Sequence, residues 1–173
     1  MVSVHPWDAD HAVTQLYAAH YTSLVRLVTL LVRHSGEAEE IVQDAFVAMH
    51  GKWHSLREPD KALAYLRRSV VNGARSAHRH HAVSDKHLHR EVEDIRRHAL
   101  SAEQQTMTAE TRREMLTALS SLPQRQREVL VLRYYSDLTE ADIADALDIS
   151  RGAVKSHASR GISSLRATLE DSR

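Results

Sequence analysis

The sequence predicts an all-α protein built from two small helical units that are joined by a flexible linker. Apolar residues recur every three or four positions along most of the chain, as in amphipathic helices. The 173 residues include only five Gly and three Pro, so few positions break a helix. Residues 139–160 have the pattern of two short helices separated by a tight turn. We place the first unit at residues 1–81, the linker at residues 82–108 and the second unit at residues 109–173.

The charge of the chain is segregated although its formal net value is zero. Residues 1–60 carry four Lys or Arg against eight Asp or Glu, residues 61–100 carry nine against four, and residues 101–173 carry ten against eleven. An acidic first third followed by a basic middle suggests two partners at two surfaces, one of them a polyanion.

Composition also excludes several classes of protein. The chain has no Cys, which excludes disulfides, thiolate zinc sites and cysteine nucleophiles. No apolar run approaches the roughly 20 residues that cross a bilayer, and the first ten residues show no secretory pattern. We therefore expect a cytoplasmic protein that does not insert into a membrane.

Two helices are predicted at the start of the chain. The first, over residues 10–33, is a long amphipathic scaffold helix. The second is expected to begin after an N-cap at Ser35 and to bury Ala38, Val42, Ala45, Phe46 and Met49. Its outward side is acidic with an aliphatic residue inside it: Glu37, Glu40, Gln43, Asp44 and Val47. We interpret this side as a docking face for a basic protein, although a merely solvated face explains the pattern equally well.

The third helix combines an apolar stripe with a basic side. Residues 51–59 are predicted to form a loop that contains Trp53 and His54, and Asp60 can cap the helix that follows. The stripe expected to face inward is Leu63, Leu66, Val70, Gly73 with Ala74, and Ala77. At 100 degrees per residue, the opposite side carries Arg68, Asn72, Arg75 and Arg79. Aligned guanidiniums without acidic partners favour contact with a DNA backbone over a solvated surface.

The histidines at positions 78, 80, 81, 87 and 89 raise the question of a metal site. They are accompanied by no Cys and by no ordered pair of carboxylates, and a basic helix that continues into histidines is explained as phosphate-facing surface. We predict no metal site and no cofactor. Residues 82–108, which lack a continuous apolar stripe, are interpreted as a linker.

The second unit is predicted to contain two scaffold helices followed by a helix-turn-helix. Met115, Leu116 and Leu119 mark the first helix, Pro123 lies near the start of the next, and its expected inward residues are Val129, Leu130, Leu132 and Tyr134. The helix-turn-helix begins with a capping box of Thr139 and Asp142, turns at a left-handed Asp148, and starts again after an N-cap at Ser150.

The last helix has an apolar stripe and a small, basic opposite face. The stripe comprises Val154, Ala158, Ile162, Leu165 and Leu169. The opposite face presents Gly152, Ser156, Ser159 and Arg160, with Lys155 and His157 at its edges. Small residues permit close approach to a DNA groove, and long cations reach phosphates or guanine edges. Two amphipathic helices of a plain bundle remain the alternative for this segment.

Three stretches of the sequence, taken in order, resemble segments of a known family. They are SGEAEEIVQDAFVAMHGKW at 35–53, KALAYLRRSVVNGARSAHRHH at 61–81, and LSSLPQRQREVLVLRYYSDLTEADIADALDISRGAVKSHASRGISSLRATL at 119–169. Together they are similar to the extracytoplasmic-function (ECF) sigma factors, the smallest group of the sigma-70 superfamily of bacterial RNA polymerase subunits. The resemblance covers nearly the whole chain.

The resemblance implies roles for particular residues. The clamp helices of core polymerase would be bound by Glu37, Glu40, Gln43, Asp44 and Val47. The minus-ten promoter element would be bound by Trp53, His54, Lys61, Arg68, Asn72, Arg75 and Arg79, with the 53–61 stretch capturing a flipped base. The minus-thirty-five element would be bound by Arg151, Lys155, Ser156, His157, Ser159 and Arg160. Asp148, His157 and Ile162 depart from the commoner residues of the family, so promoter preference does not follow.

The resemblance also implies partners and a mechanism. The partners would be core RNA polymerase, through its clamp helices and flap region, promoter DNA, and an anti-sigma factor. The mechanism would be binding and strand opening, with no covalent chemistry in this chain. A stand-alone helix-turn-helix regulator of duplex DNA is the alternative, but it leaves the acidic second helix and the basic third helix unexplained. An enzyme is not indicated, since no phosphate-binding glycine loop and no nucleophile–base pattern is present.

Overall fold

The computed structural model describes residues 8–32, 35–56, 58–82 and 108–171, and every regular element in these ranges is helical. The first unit contains α1 (Ala9–Leu31), α2 (Ala38–Lys52) and α3 (Ala62–Ala82). The second unit contains α4 (Ala109–Ser121), α5 (Gln124–Tyr134), α6 (Glu140–Leu147) and α7 (Arg151–Asp171). The all-α prediction is confirmed. Most of the predicted linker, residues 83–107, lies outside the described residues.

The first unit is a three-helix bundle whose core follows from the apolar stripes. The buried residues of α2 are the five that the sequence predicts: Ala38, Val42, Ala45, Phe46 and Met49. Gly73 lets α3 approach α2 closely, since a Cβ at this position would lie 2.7 Å from Cγ2 of Ile41. None of the helices in the described ranges is long and apolar enough to span a bilayer.

Three local predictions in the first unit are wrong. Ser35 is not the N-cap of α2, because a 3-10 turn over Ser35–Glu37 precedes the helix and places Glu37 at the cap. Asp60 lies within a second 3-10 turn, Pro59–Lys61, and α3 begins after it. The predicted 51–59 loop is largely helical, since α2 continues to Lys52 and a 3-10 turn covers Trp53–Ser55. The large apolar ring of Trp53 is only 6% exposed and anchors this segment to the core.

The second unit is organised around α5, which is covered by several neighbouring helices. Val129, Leu130 and Leu132 are buried as predicted, but Arg127 and Glu128 are buried as well. Tyr134, predicted to face inward, is 66% exposed. It lies at the end of α5, where it lines an open apolar groove with residues of α4 and α7, and none of the described helices covers its outer side.

The two units pack against each other. Helix α5 contacts α1, and α6 contacts α3. The Tyr135 hydroxyl lies 3.5 Å from the Ser23 carbonyl oxygen in α1, and burial raises the pKa of this tyrosine. Val71, which is absent from the predicted inward stripe of α3, is fully buried. A second side of α3 is therefore covered in addition to the side that faces the bundle core.

Candidate nucleic-acid and protein interfaces

The outward side of α2 is an exposed acidic surface with an aliphatic centre. Glu40, Gln43 and Asp44 are exposed, Glu37 is half-buried, and the Val47 side chain is 72% exposed. These positions share one side of the helix because the opposite side is committed to the core. An exposed valine among carboxylates suits a partner that offers both cations and an apolar contact.

The basic side of α3 is divided by the packing of the second unit. Arg68, Asn72 and Arg79 remain exposed, and Arg79 donates a hydrogen bond of 3.0 Å to the Ser76 hydroxyl. Arg75 is only 16% exposed because its guanidinium points into the second unit. Three of the four predicted residues thus share an accessible surface in this arrangement, and the fourth does not.

Arg75 forms a two-pronged ion pair with Glu128. Its Nε lies 2.9 Å from Oε1 and its Nη2 lies 3.1 Å from Oε2 of this carboxylate, which is 4% exposed. The same Nη2 atom of Arg75 also lies 3.5 Å from the carbonyl oxygen of Leu147. Such bidentate geometry gives a strong, directional contact. Sequence reasoning missed Glu128, because its partner Arg75 lies 53 positions earlier in the chain, on a helix of the other unit.

A charged cavity of about 610 Å³ continues this contact between α3 and α6. Arg67 and Arg68 line it from α3, while Asp142 and Asp145 line it from α6. Burial lowers the pKa of Arg67, and the Asp142 carboxylate opposes that shift. The basic helix of the first unit therefore faces an acidic helix of the second. Arg67, Val71 and Arg75 are four positions apart and lie on one side of α3, and this spacing is the sequence pattern that could have predicted the second buried side.

The residues that precede α3 do not form an exposed aromatic loop. Trp53 belongs to the core, so its ring is not accessible for stacking on a base, which contradicts its predicted recognition role. His54 and Lys61 are exposed. Lys61 pairs with Glu58, and the hydrogen bond to this carboxylate raises the pKa of the lysine. The His54 and Lys61 side chains of this segment are accessible to solvent, but the Trp53 ring is not.

The helix-turn-helix is confirmed in its local detail. Thr139 and Asp142 form a reciprocal capping box at the start of α6, with both backbone-to-side-chain distances at 3.2 Å. Asp148 adopts the left-handed conformation, with φ 52° and ψ 51°. The Ser150 hydroxyl accepts a hydrogen bond of 3.1 Å from the amide of Ala153. These contacts set the angle between α6 and α7.

Helix α7 is anchored on one side and open on the other. Val154 and Ala158 are buried, and a Cβ on Gly161 would lie 3.0 Å from Leu130, so the helix backbone sits close to α5. The opposite side exposes Arg151, Gly152, Lys155, Ser156, Ser159 and Arg160. Lys155 lies 3.8 Å from Glu140 and its side chain is 67% exposed. His157 is half-buried, and its Nδ1 has no hydrogen-bond partner among the described residues.

The histidine cluster lies only partly within the described residues, since His87 and His89 fall outside them. Within the part of the chain that the structure describes, no group of three or more His, Asp or Glu side chains is arranged to hold a metal ion.

Comparisons with known proteins identify the family to which this chain is similar. Residues 16–83 match the family model for sigma-70 region 2, and residues 112–165 match the model for sigma-70 region 4. The RNA polymerase sigma-E factor of Streptomyces avermitilis is 30% identical over 151 residues, which are 86% of this chain and 79% of that protein. The ECF RNA polymerase sigma factor SigM of Mycobacterium tuberculosis is 29% identical over 160 residues, which are 92% of this chain and 78% of that protein.

A solved structure supports the fold. The sigma factor RpoE of Bartonella quintana, in complex with the anti-sigma factor NepR, superposes with a TM-score of 0.71 at 21% identity. The match covers 92% of this chain and 98% of that one. The two matched regions overlap the two helical units described above. The chain belongs to the sigma-70 family and is an RNA polymerase sigma factor of the ECF group.

Proposed function

We propose that this chain directs core RNA polymerase to promoters through three surfaces. The acidic side of α2 binds the polymerase clamp helices, through Glu37, Glu40, Gln43, Asp44 and Val47. The accessible side of α3 and the segment before it bind the minus-ten element, through His54, Lys61, Arg68, Asn72 and Arg79. The exposed side of α7 binds the minus-thirty-five element, through Arg151, Lys155, Ser156, His157, Ser159 and Arg160.

The observation that carries the proposal is the separation of one acidic and two basic surfaces on helices whose opposite sides are buried. A helix-turn-helix regulator needs α7 alone, whereas Val47 at 72% exposure among carboxylates on α2 calls for a protein partner. Two DNA contacts that share one chain raise each other's effective concentration, so each can be modest alone.

The proposed role consists of binding and strand opening. The division into residues 1–81, 82–108 and 109–173 gives each promoter element its own unit. We place the protein in the cytoplasm, where core polymerase acts. Since the Bartonella relative is an RpoE sigma factor in complex with an anti-sigma factor, we also propose that an anti-sigma protein controls this chain.

The test of the α2 surface is a double charge reversal. Glu40→Arg with Asp44→Arg should abolish copurification with core polymerase, because both exposed carboxylates would become cations facing a basic partner. The matched control is Glu110→Arg with Glu114→Arg, which reverses two exposed carboxylates at the same spacing on α4. Normal polymerase binding by the α2 variant would refute the assignment.

A second test separates the sigma factor from the stand-alone regulator. Core polymerase supplied with this chain should produce promoter-specific run-off transcripts. Tight binding of the chain to one duplex site, with no transcripts and no association with polymerase, would favour the regulator instead.

A further inference from the structure

The closed packing of the two units is held by a polar contact at the edge of the DNA-facing side of α3. Arg75 lies on the same side of the helix as Asn72 and Arg79, yet its guanidinium is engaged by Glu128 and the Leu147 carbonyl oxygen. Asp142 and Asp145 on α6 face Arg67 and Arg68 across the adjoining cavity. The second unit therefore presents carboxylates to the cations of α3, as phosphates would.

Glu128 has further hydrogen-bond partners on its own helix, so the contact with Arg75 can break without leaving this carboxylate unpaired. Gln124 donates to Oε1 at 3.0 Å and Arg125 donates to Oε2 at 3.2 Å, and both residues belong to the same helix as Glu128. Arg75 comes from the other unit. When the units separate, Glu128 keeps two partners from its own helix and is not left as an unpaired buried charge. The released Arg75 gains water or a phosphate.

The closed arrangement is incompatible with binding both promoter elements at once. Elements centred about 25 base pairs apart are separated by about 85 Å on B-form DNA, at 3.4 Å per base pair. In the closed chain, α3 and α6 are in direct contact. The 25 residues from 83 to 107 can span about 85 Å when extended, at about 3.3–3.6 Å per residue. Separation of the units is thus both required and permitted by the length of the chain.

We propose that the Arg75–Glu128 ion pair is an autoinhibitory latch. It favours the closed form of the free chain and withholds one cation of α3 from DNA until the units separate. The second half of this proposal rests on the proposed minus-ten role of α3; the first half, closure by the ion pair, does not.

The latch is tested by measuring how often the interface opens. The chain has no Cys, so a single thiol introduced by Val71→Cys reports on α3 one turn from Arg75, in a position that is fully buried. Its rate of reaction with a small aromatic disulfide reagent follows the fraction of open molecules even when that fraction is small. Val70→Cys, buried on the side of α3 predicted to face the first unit's core, is the matched control for unfolding of that unit.

Glu128→Gln and Arg75→Gln break the latch from opposite sides. Each should speed modification of the thiol at position 71 about tenfold, which corresponds to about 1.4 kcal/mol, and leave the thiol at position 70 unchanged. Glu140→Gln removes a carboxylate that pairs with Arg133 and Lys155 inside the second unit, and it should leave both rates unchanged. If circular dichroism shows that Glu128→Gln has lost helix content, the latch is judged only from the thiol modification rate in Arg75→Gln. An unchanged rate at position 71 in Arg75→Gln overturns the latch.

A DNA-binding measurement separates the latch from the minus-ten assignment. Glu128→Gln should bind a mixed-sequence single-stranded oligonucleotide more tightly, with a salt dependence steeper by about 0.7, the value for one additional phosphate contact. Adding Arg75→Ala should cancel this gain. Faster thiol modification without any gain in DNA binding supports closure by the latch and refutes the DNA role of Arg75.

Discussion

The exposed cations of α7 offer a quantitative test of whether this helix touches DNA. Lys155 is paired with Glu140 only at 3.8 Å, and its side chain is 67% exposed, so little energy is needed to transfer it to a phosphate. Arg160 lies exposed on the same helix. We predict that Lys155→Ala and Arg160→Ala each remove one phosphate contact, while the apolar anchors Val154 and Ala158 keep the helix in place.

The expected magnitude follows from counterion release. Each lost contact on duplex DNA should reduce the slope of log affinity against log salt by about 0.9, and the double variant should lose about 1.8. Between 50 and 200 mM salt, a fourfold change, a slope difference of about 1.8 corresponds to about a 12-fold change in relative affinity. The defect of the double variant should therefore be about 12-fold larger at the lower concentration.

Fluorescence anisotropy with a labelled duplex of mixed sequence measures this slope. The free chain is suitable, because the exposed side of α7 is accessible in the closed arrangement. Arg113→Ala is the control: it removes one exposed cation of α4 and should leave the slope within error of the parent. Equal slopes for the parent and the double variant would refute the phosphate contacts, and an equal loss in Arg113→Ala would show that net charge alone is responsible.

Three further predictions concern stability and pH. Trp53→Ala should lower the unfolding free energy by about 3–5 kcal/mol in a urea titration, because the ring is buried; an unchanged midpoint would place it on the surface. Asp148→Gly should raise the melting temperature slightly and Asp148→Val should lower it, because φ is 52°; the reverse order would exclude strain at this turn. Burial raises the pKa of Tyr135 in the folded chain above the unfolded value of about 10. The contribution of Tyr135 to the unfolding free energy is therefore fully present below about pH 10 and is lost as the pH rises further, because the unfolded chain deprotonates first. Tyr135→Phe should lack that alkaline loss in denaturant titrations, and an identical pH profile would contradict it.

Much of the fold could be predicted because its signals are local. The inward residues of α2 follow from helical periodicity. The capping box at Thr139 and the N-cap at Ser150 are also local, because each side chain accepts a hydrogen bond from an amide three residues later. The same periodicity identifies the outward sides of α2 and α7. A prediction of this kind needs only the geometry of one helix, which the sequence specifies directly.

Two of the predictions that failed, those for Tyr134 and for residues 51–59, depend on what covers a helix from outside. Helical periodicity places Tyr134 on the inward side of α5, but none of the helices in the described ranges extends far enough to cover the end of α5. Residues 51–59 are predicted to form a loop because they break the helical pattern, but the Trp53 ring is buried and most of the segment is helical. In both cases the burial of a large ring is decided by neighbours that are distant in the chain.

The sequence by itself therefore determined the helices, the helix-turn-helix, and the acidic and basic surfaces, because each is encoded within a few turns of one helix. Only the tertiary structure decided that Arg75 faces Glu128, a residue 53 positions away. A helix wheel gives the direction of a side chain, but it does not say which other unit lies in that direction. The ion pair exists because the second unit packs onto α3, and that packing is a property of the whole chain.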